Sequence, residues 1–214
     1  MAAGVISKLV DSGKNVGIAV IGDGINSRLK SSSIIKESSE LHINLEKSFE
    51  ESCSALGVKV KYIFRYPDNE FDSQPLLSYV NIIEAILDRH KPIRVWTHLD
   101  SGINIDHKVV NKAVMIAARP ISDSKPCAVF GFRTPGSDDW SFSNPIIAAD
   151  NWFEEVDLKS ERRINSYLAY DKINYFPHKL YSIESIDLQL RVNGEKIGVV
   201  AAESFCLIRN LEKK

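Results

Sequence analysis

The sequence predicts an α/β fold with a doubly wound, mostly parallel sheet that carries helices on both faces. Segments of helical period alternate with short apolar runs along the first two-thirds of the chain. Several of these runs are almost continuously apolar, which is typical of strands buried on both faces of a parallel sheet. The chain has 214 residues, 44% of them hydrophobic, and no linker or repeat interrupts it. We therefore expect a single domain spanning residues 1–214.

The first part of the chain reads as two pairs of helix and strand. Apolar residues recur at helical spacing over 5–10, and Asp11-Ser12-Gly13 then ends the helix. The apolar run 16–21 predicts the first strand. Residues 41–56 return to helical period and stop at Gly57, after which 58–64 alternates as a strand does.

The same alternation continues through the middle of the chain. A helix is predicted over 76–90, ended by Lys91-Pro92, and a strand over 93–97. A further helix over 108–119 is closed by Pro120, and a strand follows over 128–132. The last third is mixed, and we expect it to wrap the same sheet with segments at 152–156, 158–170, 183–192 and 199–207.

Composition narrows the classes of function. Lysine and arginine number 27 against 28 acidic residues, which gives no indication of nucleic acid or an anionic membrane as a partner. No stretch approaches the roughly 18 apolar residues of a membrane span, and the first ten residues do not resemble a secretory leader. Cys53, Cys127 and Cys206 are widely spaced among apolar neighbours, which predicts buried free thiols. We therefore expect a cytoplasmic protein that binds a small molecule or another protein.

Ligands of open α/β sheets bind beyond the carboxyl ends of the strands, and three polar loops lie there: 22–28, 66–73 and 98–107. The third loop is the richest, because Asp100, Asn104, Asp106 and His107 crowd together before a helix. Asp106 is a plausible N-cap, in which case His107 only occupies the first helical turn. Alternatively, an imidazole beside a carboxylate is typical of a metal-binding histidine. Catalytic zinc needs about three protein ligands, and His42, His90 and His178 do not cluster with His107 in the sequence.

The loop after the first strand, Gly22-Asp23-Gly24, superficially suggests phosphate binding. It lacks the Lys-Ser/Thr of a P-loop and the complete spacing of a dinucleotide fingerprint, so we reject a nucleotide site. Arg28 lies just beyond it. This arginine either binds a ligand hydroxyl or phosphate or is a solvated surface charge.

Several short segments together resemble the PIG-L/LmbE family of zinc-dependent de-N-acetylases, in matching order along nearly the whole chain. The segments are Lys8-Leu-Val-Asp-Ser-Gly13, Gly24-Ile-Asn-Ser-Arg28, Tyr66-Pro-Asp-Asn-Glu-Phe-Asp72, Thr97-His98, Asn104-Ile-Asp-His107, Ala118-Arg-Pro120, Pro177-His178 and Ala202-Glu-Ser-Phe205.

The resemblance implies a Rossmann-like fold and a zinc-dependent hydrolase that removes acetyl from an N-acetylated sugar or related amide. It implies that His107 is a zinc ligand, with Asp106 as its neighbour or proton relay. Asn104 stands where many relatives have a second histidine, and its side-chain NH is an alternative oxyanion donor. Arg28, Asp68 and His178 would lie near the sugar pocket. The resemblance implies no nucleic-acid or membrane partner and leaves room for a homo-oligomer.

The sequence also departs from the family. The His-Pro-Asp-Asp motif, which supplies two zinc ligands and the general base in that family, occurs nowhere in it, and Leu180 replaces a common arginine. The first residues align with the helix that follows this motif, so we expect the first strand to be missing. Either Met1 is an internal methionine of a longer reading frame or the polypeptide is truncated. Translating the DNA upstream of Met1 tests this expectation.

Three functional readings follow from these departures. The first is a deacetylase whose printed polypeptide binds zinc weakly and is inactive. The second is an inactive relative that binds a sugar or a protein partner. The third is an α/β domain in which His107 is only packed.

Overall fold

The computed structural model describes residues 2–25, 36–121, 125–142, 150–170 and 182–211, and the structural statements below concern those residues. It confirms the α/β class. The helices are α1 Ala3–Asp11, α2 Lys36–Leu56, α3 Leu76–His90, α4 Ile105–Ala117, α5 Glu161–Leu168 and α6 Ile183–Glu195. The strands are β1 Gly17–Gly22, β2 Val60–Tyr66, β3 Arg94–His98, β4 Ala128–Phe132, β5 Trp152–Glu155 and β6 Ala202–Asn210, and a 3-10 helix spans Phe71–Ser73.

The described strands form two sheets. One pairs β1 with β2 in parallel, and the other has the order β3-β4-β6-β5. The expected parallel pairing is confirmed for β1 with β2 and for β3 with β4, whereas β4 pairs with β6 in antiparallel register. The chain divides into two compact units. The first holds residues 69–153 and 204–214, and the second holds 2–68 and 154–203.

In the first unit, aromatic side chains lie along one face of β3 and β4 up to the carboxyl ends of these strands. Trp96 and Phe130 are register partners, and their rings stack with centroids 5.3 Å apart. His98 and Phe132 form the next register pair on the same face, 4.6 Å apart. Such cross-strand ring contacts stabilise sheet pairing and fix the register. The register therefore places His98 at the end of β3, where the loop to α4 begins.

The second unit has its own buried core, which is built from α1, α2 and the residues that follow α2. It contains Ala3, Phe49, Cys53, Leu56 and Val58, with Ile18, Val20 and Ile63 packed against it. Gly57 ends α2 at φ 76°, a left-handed conformation that glycine adopts without a Cβ penalty. The prediction of free thiols is confirmed, since all three cysteines are unpaired, with Cys53 buried and the other two half-buried.

A buried carboxylate holds the start of α1. Glu203 accepts hydrogen bonds from the backbone N–H groups of Gly4 and Val5, both at 2.8 Å. Burial raises the pKa of Glu203, and the two amide hydrogen bonds oppose that rise. Helix α1 has no side-chain cap of its own, so this carboxylate, 199 residues away in sequence, satisfies its first amides.

No helix among the described residues combines the length and the apolar composition that crossing a bilayer requires.

Candidate active site

Asn104 is the N-cap of α4. Its side-chain Oδ1 accepts hydrogen bonds from the backbone N–H of Asp106 at 2.8 Å and of His107 at 3.4 Å. The expectation that Asp106 caps this helix is therefore wrong. The helix begins at Ile105, so Asp106 is already its second residue, while Asn104 has the extended backbone of a cap, with φ −76° and ψ 123°. Because the two amides require an acceptor, the oxygen of Asn104 faces the helix and its NH₂ group takes no part in the cap.

Asp106 uses its carboxylate to hold another segment of the first unit. Its two oxygens accept hydrogen bonds from the backbone N–H of Asn69 at 2.6 Å and of Phe71 at 3.1 Å. The residue is only 6% exposed. Phe71 is itself buried and stacks on Tyr79 of α3, with ring centroids 5.0 Å apart. The carboxylate therefore fastens the segment before and within the 3-10 helix to the first turn of α4.

His107 lies against a second histidine, His98. The two imidazoles are parallel within 2° and their centroids are 4.0 Å apart. Nδ1 of His98 is 3.1 Å from the hydroxyl of Thr134, and its backbone carbonyl accepts from the side chain of Asn111 at 2.8 Å. Burial, together with the neighbouring His107, holds the pKa of His98 well below the ordinary imidazole value. The imidazole of His98 is therefore neutral at neutral pH and has a fixed position beside His107.

A second loop is fastened to the loop before Asn104. Asp138, which is 8% exposed, accepts from the hydroxyl of Ser101 at 2.7 Å and from the backbone N–H of Thr134 at 2.6 Å. The backbone N–H of Ile103 donates to the carbonyl of Ser137 at 3.0 Å. A Cβ at Gly102 would collide with the side chain of Ser137, so this close approach requires glycine. The two loops at the carboxyl ends of β3 and β4 thus form one hydrogen-bonded assembly.

Asp68 lies in the second unit, after β2. Its backbone N–H donates to Oδ1 of Asp23 at 3.2 Å, and the same oxygen accepts from Ile25 at 3.1 Å. The other oxygen of Asp23 is 3.5 Å from Nε2 of His42. The carboxylate of Asp23 therefore occupies loop amides that a phosphate would need. Arg28 and His178, the other expected pocket residues, lie outside the described residues.

The described residues do not fit a complete zinc site. Among them, no group of three or more His, Cys, Asp and Glu side chains is arranged to hold a metal ion. The parallel stacking of His98 on His107 also prevents both rings from directing a nitrogen at one ion, since shared ligands need converging lone pairs. His107 is the candidate ligand here, and the carboxylate of Asp106 is engaged by backbone amides.

Sequence reasoning missed three residues of this assembly: His98, Thr134 and Asp138. His98 carries a usable signal, because it is a histidine at the predicted end of a strand and precedes the polar loop. Asp138 has no such signal. Its role depends on the approach of two loops that are 37 residues apart in sequence, which no local pattern encodes.

The comparisons with known proteins agree on the fold. The model of the family described as PIG-L: GlcNAc-PI de-N-acetylase matches residues 1–118. No curated protein matches the sequence. The conserved protein TT1542 from Thermus thermophilus has 16% identity and a TM-score of 0.72, over 100% of this chain and 90% of its own.

Two further solved structures have different activities in their names. The N,N'-diacetylchitobiose deacetylase from Pyrococcus horikoshii has 20% identity and a TM-score of 0.70, over 97% of this chain and 78% of its own. GalB, the 4-carboxy-2-hydroxymuconate hydratase from Pseudomonas putida, has 14% identity and a TM-score of 0.69, over 100% of this chain and 92% of its own. At these identities the likeness shows the fold, and the reaction has to be argued from the residues of the site.

Proposed function

Because this chain belongs to the PIG-L family, described as GlcNAc-PI de-N-acetylase, we propose that it is a hydrolase that removes acetyl from an N-acetylated sugar or a related amide. The observation that carries the proposal is the first turn of α4. Asn104, Asp106 and His107 follow β3 at the end where ligands of α/β sheets bind, and each has a fixed position in that turn.

Stabilisation of the oxyanion by Asn104 is the catalytic step that the geometry supports best. Amide hydrolysis passes through a tetrahedral oxyanion, and a donor aimed at that oxygen beforehand lowers the barrier. The helix amides hold Oδ1 of Asn104, so its NH₂ group is oriented without further loss of rotational freedom. We assign this group as the oxyanion donor, which removes nothing from the cap.

His107 is the zinc ligand in this proposal, and His98 and Asp106 are its supports. His98 fixes the plane of the His107 ring by stacking. The described residues do not complete a zinc site and the sequence contains no His-Pro-Asp-Asp, so we expect the printed polypeptide to bind zinc weakly and to release no measurable acetate. Arg28, Asp68 and His178 stay proposals for the sugar pocket. Three free cysteines support a reducing, cytosolic location.

A second candidate is a sugar-binding protein without hydrolytic activity. It is favoured by the engagement of Asp106, whose carboxylate bonds two backbone amides and so serves the structure rather than a proton transfer. In this alternative the pocket is retained and the chemistry is absent.

One experiment separates the candidates. It compares the 214-residue polypeptide with a version that is extended ahead of Met1 by a strand ending in His-Pro-Asp-Asp. Both are assayed for acetate release from an N-acetylglucosaminide and for bound zinc. We expect acetate only from the extended version, with a loss of about 10²- to 10³-fold when Asn104→Asp removes the donor. An extended protein that binds zinc and the sugar but releases no acetate would support the binding-only candidate.

A further inference from the structure

Trp140 lies on the loop that is fastened beside Asn104. The strands β3 and β4 are parallel, and their last residues, His98 and Phe132, are register partners, so the loops that follow them leave the same edge of the sheet. Asp138 joins these loops through Ser101. The backbone N–H of Ser141 donates to the carbonyl of Asp138 at 3.3 Å, which closes a turn with Trp140 as its third residue. Trp140 is therefore carried by a turn anchored to the candidate site.

This tryptophan leaves much of its indole in water. It is 47% exposed, and Ile103 on the opposing loop is 56% exposed. Ile103 directly precedes Asn104, and its backbone is bonded to Ser137. Small-molecule sites typically combine apolar and aromatic side chains with a few polar groups that fix the ligand's orientation. Each of the two loops therefore presents an apolar surface next to the residues of the candidate site.

The charges on the same loops disfavour an anionic ligand. Residues 99–104 and 133–142 contain three aspartates and one arginine. The arginine, Arg133, is engaged with Asp150 at 3.1 Å, whereas Asp100 and Asp139 are exposed. One oxygen of Asp139 accepts from the backbone N–H of Gly136 at 3.1 Å, which fixes the carboxylate next to Trp140. Carboxylates in this position repel phosphate and accept hydrogen bonds from hydroxyl groups.

We propose that Trp140 stacks on the apolar face of a neutral pyranose ring in the substrate, which makes it a specificity-determining residue for uncharged saccharides. This inference rests on the function proposed above. The C–H groups on one face of a pyranose carry partial positive charge and match the electron-rich face of indole. The exposed carboxylate of Asp139 accepts hydrogen bonds from hydroxyl groups at the ring edge. The site thus selects neutral glycosides over phosphorylated or nucleotide-linked sugars.

The experiment measures saccharide binding directly, with the 214-residue chain. The probes are methyl N-acetyl-β-D-glucosaminide, N-acetylglucosamine 1-phosphate and N-methylacetamide, which lacks the ring. Trp140 is the exposed one of the three tryptophans, because Trp96 and Trp152 are half-buried. We expect the neutral glycoside to shift its fluorescence to shorter wavelength, with weaker binding of the phosphate and no shift from the amide.

Variants assign the signal. By titration calorimetry, which does not need the indole, Trp140→Ala is expected to weaken glycoside binding about 5- to 10-fold, and Trp140→Phe by no more than about 3-fold, because the phenyl ring keeps most of the stacking surface. Ile93→Ala is the matched control, since Ile93 is 72% exposed in the same unit but precedes the amino end of β3. It is expected to bind as the parent does. Thermal unfolding verifies that all three variants fold.

Equal affinity of the parent and Trp140→Ala, tighter binding of the phosphate, or no glycoside binding by the parent would each overturn the inference. The acetate assay on the extended protein distinguishes its failure from that of the proposed function. Acetate release with a KM unchanged by Trp140→Ala would leave hydrolysis standing without the stacking. Glycoside binding that depends on Trp140 without acetate release would leave the stacking standing without hydrolysis.

Discussion

We expect replacement of Asp106 to lower the free energy of unfolding substantially. Its carboxylate accepts two backbone hydrogen bonds, from Asn69 at 2.6 Å and Phe71 at 3.1 Å, in a position only 6% exposed. A hydrogen bond to a charged group contributes about 1.5–3 kcal/mol. Asp106→Ala removes both and leaves the amides of Asn69 and the buried Phe71 without this partner, so we expect a loss of about 3–5 kcal/mol in the free energy of unfolding.

Asp106→Asn separates the two bonds. The amide keeps one acceptor oxygen but turns an NH₂ group towards the other backbone donor, so we expect a loss of about 2–3 kcal/mol. Asp100→Asn is the matched control, because Asp100 is an exposed carboxylate in the loop before the same helix, and its change should stay within about 0.5 kcal/mol. Urea unfolding measures all three. With a slope of about 2 kcal/mol per M, Asp106→Ala lowers the midpoint by about 1.5–2.5 M.

A local measurement distinguishes the loss of these two hydrogen bonds from a general loss of stability. Hydrogen exchange at the amides of Asn69 and Phe71 should rise in Asp106→Ala by more than at core amides such as that of Phe130, because these two lose their acceptor. A destabilisation below about 1 kcal/mol, with unchanged protection at both amides, would refute the assignment. The carboxylate would then be available for chemistry.

Asn104, Cys53 and Glu203 each provide a further test of the described contacts. Asn104→Asp keeps the cap and should change the unfolding free energy by less than about 0.5 kcal/mol, whereas Asn104→Ala should cost about 1 kcal/mol in urea unfolding. Burial raises the pKa of the Cys53 thiol to about 11, so at pH 8 it holds about 100-fold less thiolate than at its ordinary value of 9.0. Mass spectrometry should find Cys53 the last of the cysteines to be alkylated by iodoacetamide, and early labelling would contradict its burial. Glu203→Ala should cost about 3–5 kcal/mol in thermal or urea unfolding, since it frees the amides of Gly4 and Val5, while the exposed Glu51→Ala should cost little.

The sequence was sufficient for the elements whose patterns are local. The bounds of α3, 76–90, and of β4, 128–132, coincide with their predicted ranges, because proline and lysine end the helix and a continuous apolar run defines the strand. The antiparallel partner of β4 was not predictable in the same way. Alternation of helix and strand indicates the direction of successive crossovers, but β6 returns to β4 after β5 and two helices.

The sequence predicted where the candidate site lies but not how its side chains are arranged. The rule that ligands bind beyond strand ends identified the loop with Asn104, Asp106 and His107. We expected the cap at Asp106, whereas a helix start two residues earlier gives it to Asn104. Helix starts are uncertain by one or two residues in any sequence pattern, and that uncertainty exchanges the roles of these two side chains.

This exchange bears on residue 104, where the resemblance implies a histidine in many relatives. A histidine there offers a ring N–H to an oxyanion, but its other nitrogen has one lone pair and accepts from one helix amide rather than two. Asparagine divides the tasks between two atoms, because Oδ1 accepts from the helix amides and Nδ2 takes no part in the cap. The cap then frees Asp106 to fasten the segment at Phe71, and the packing of that segment on Tyr79 connects α3 with the first turn of α4. Under the proposed function, one side chain therefore caps α4 through its oxygen and keeps an NH₂ group for the oxyanion.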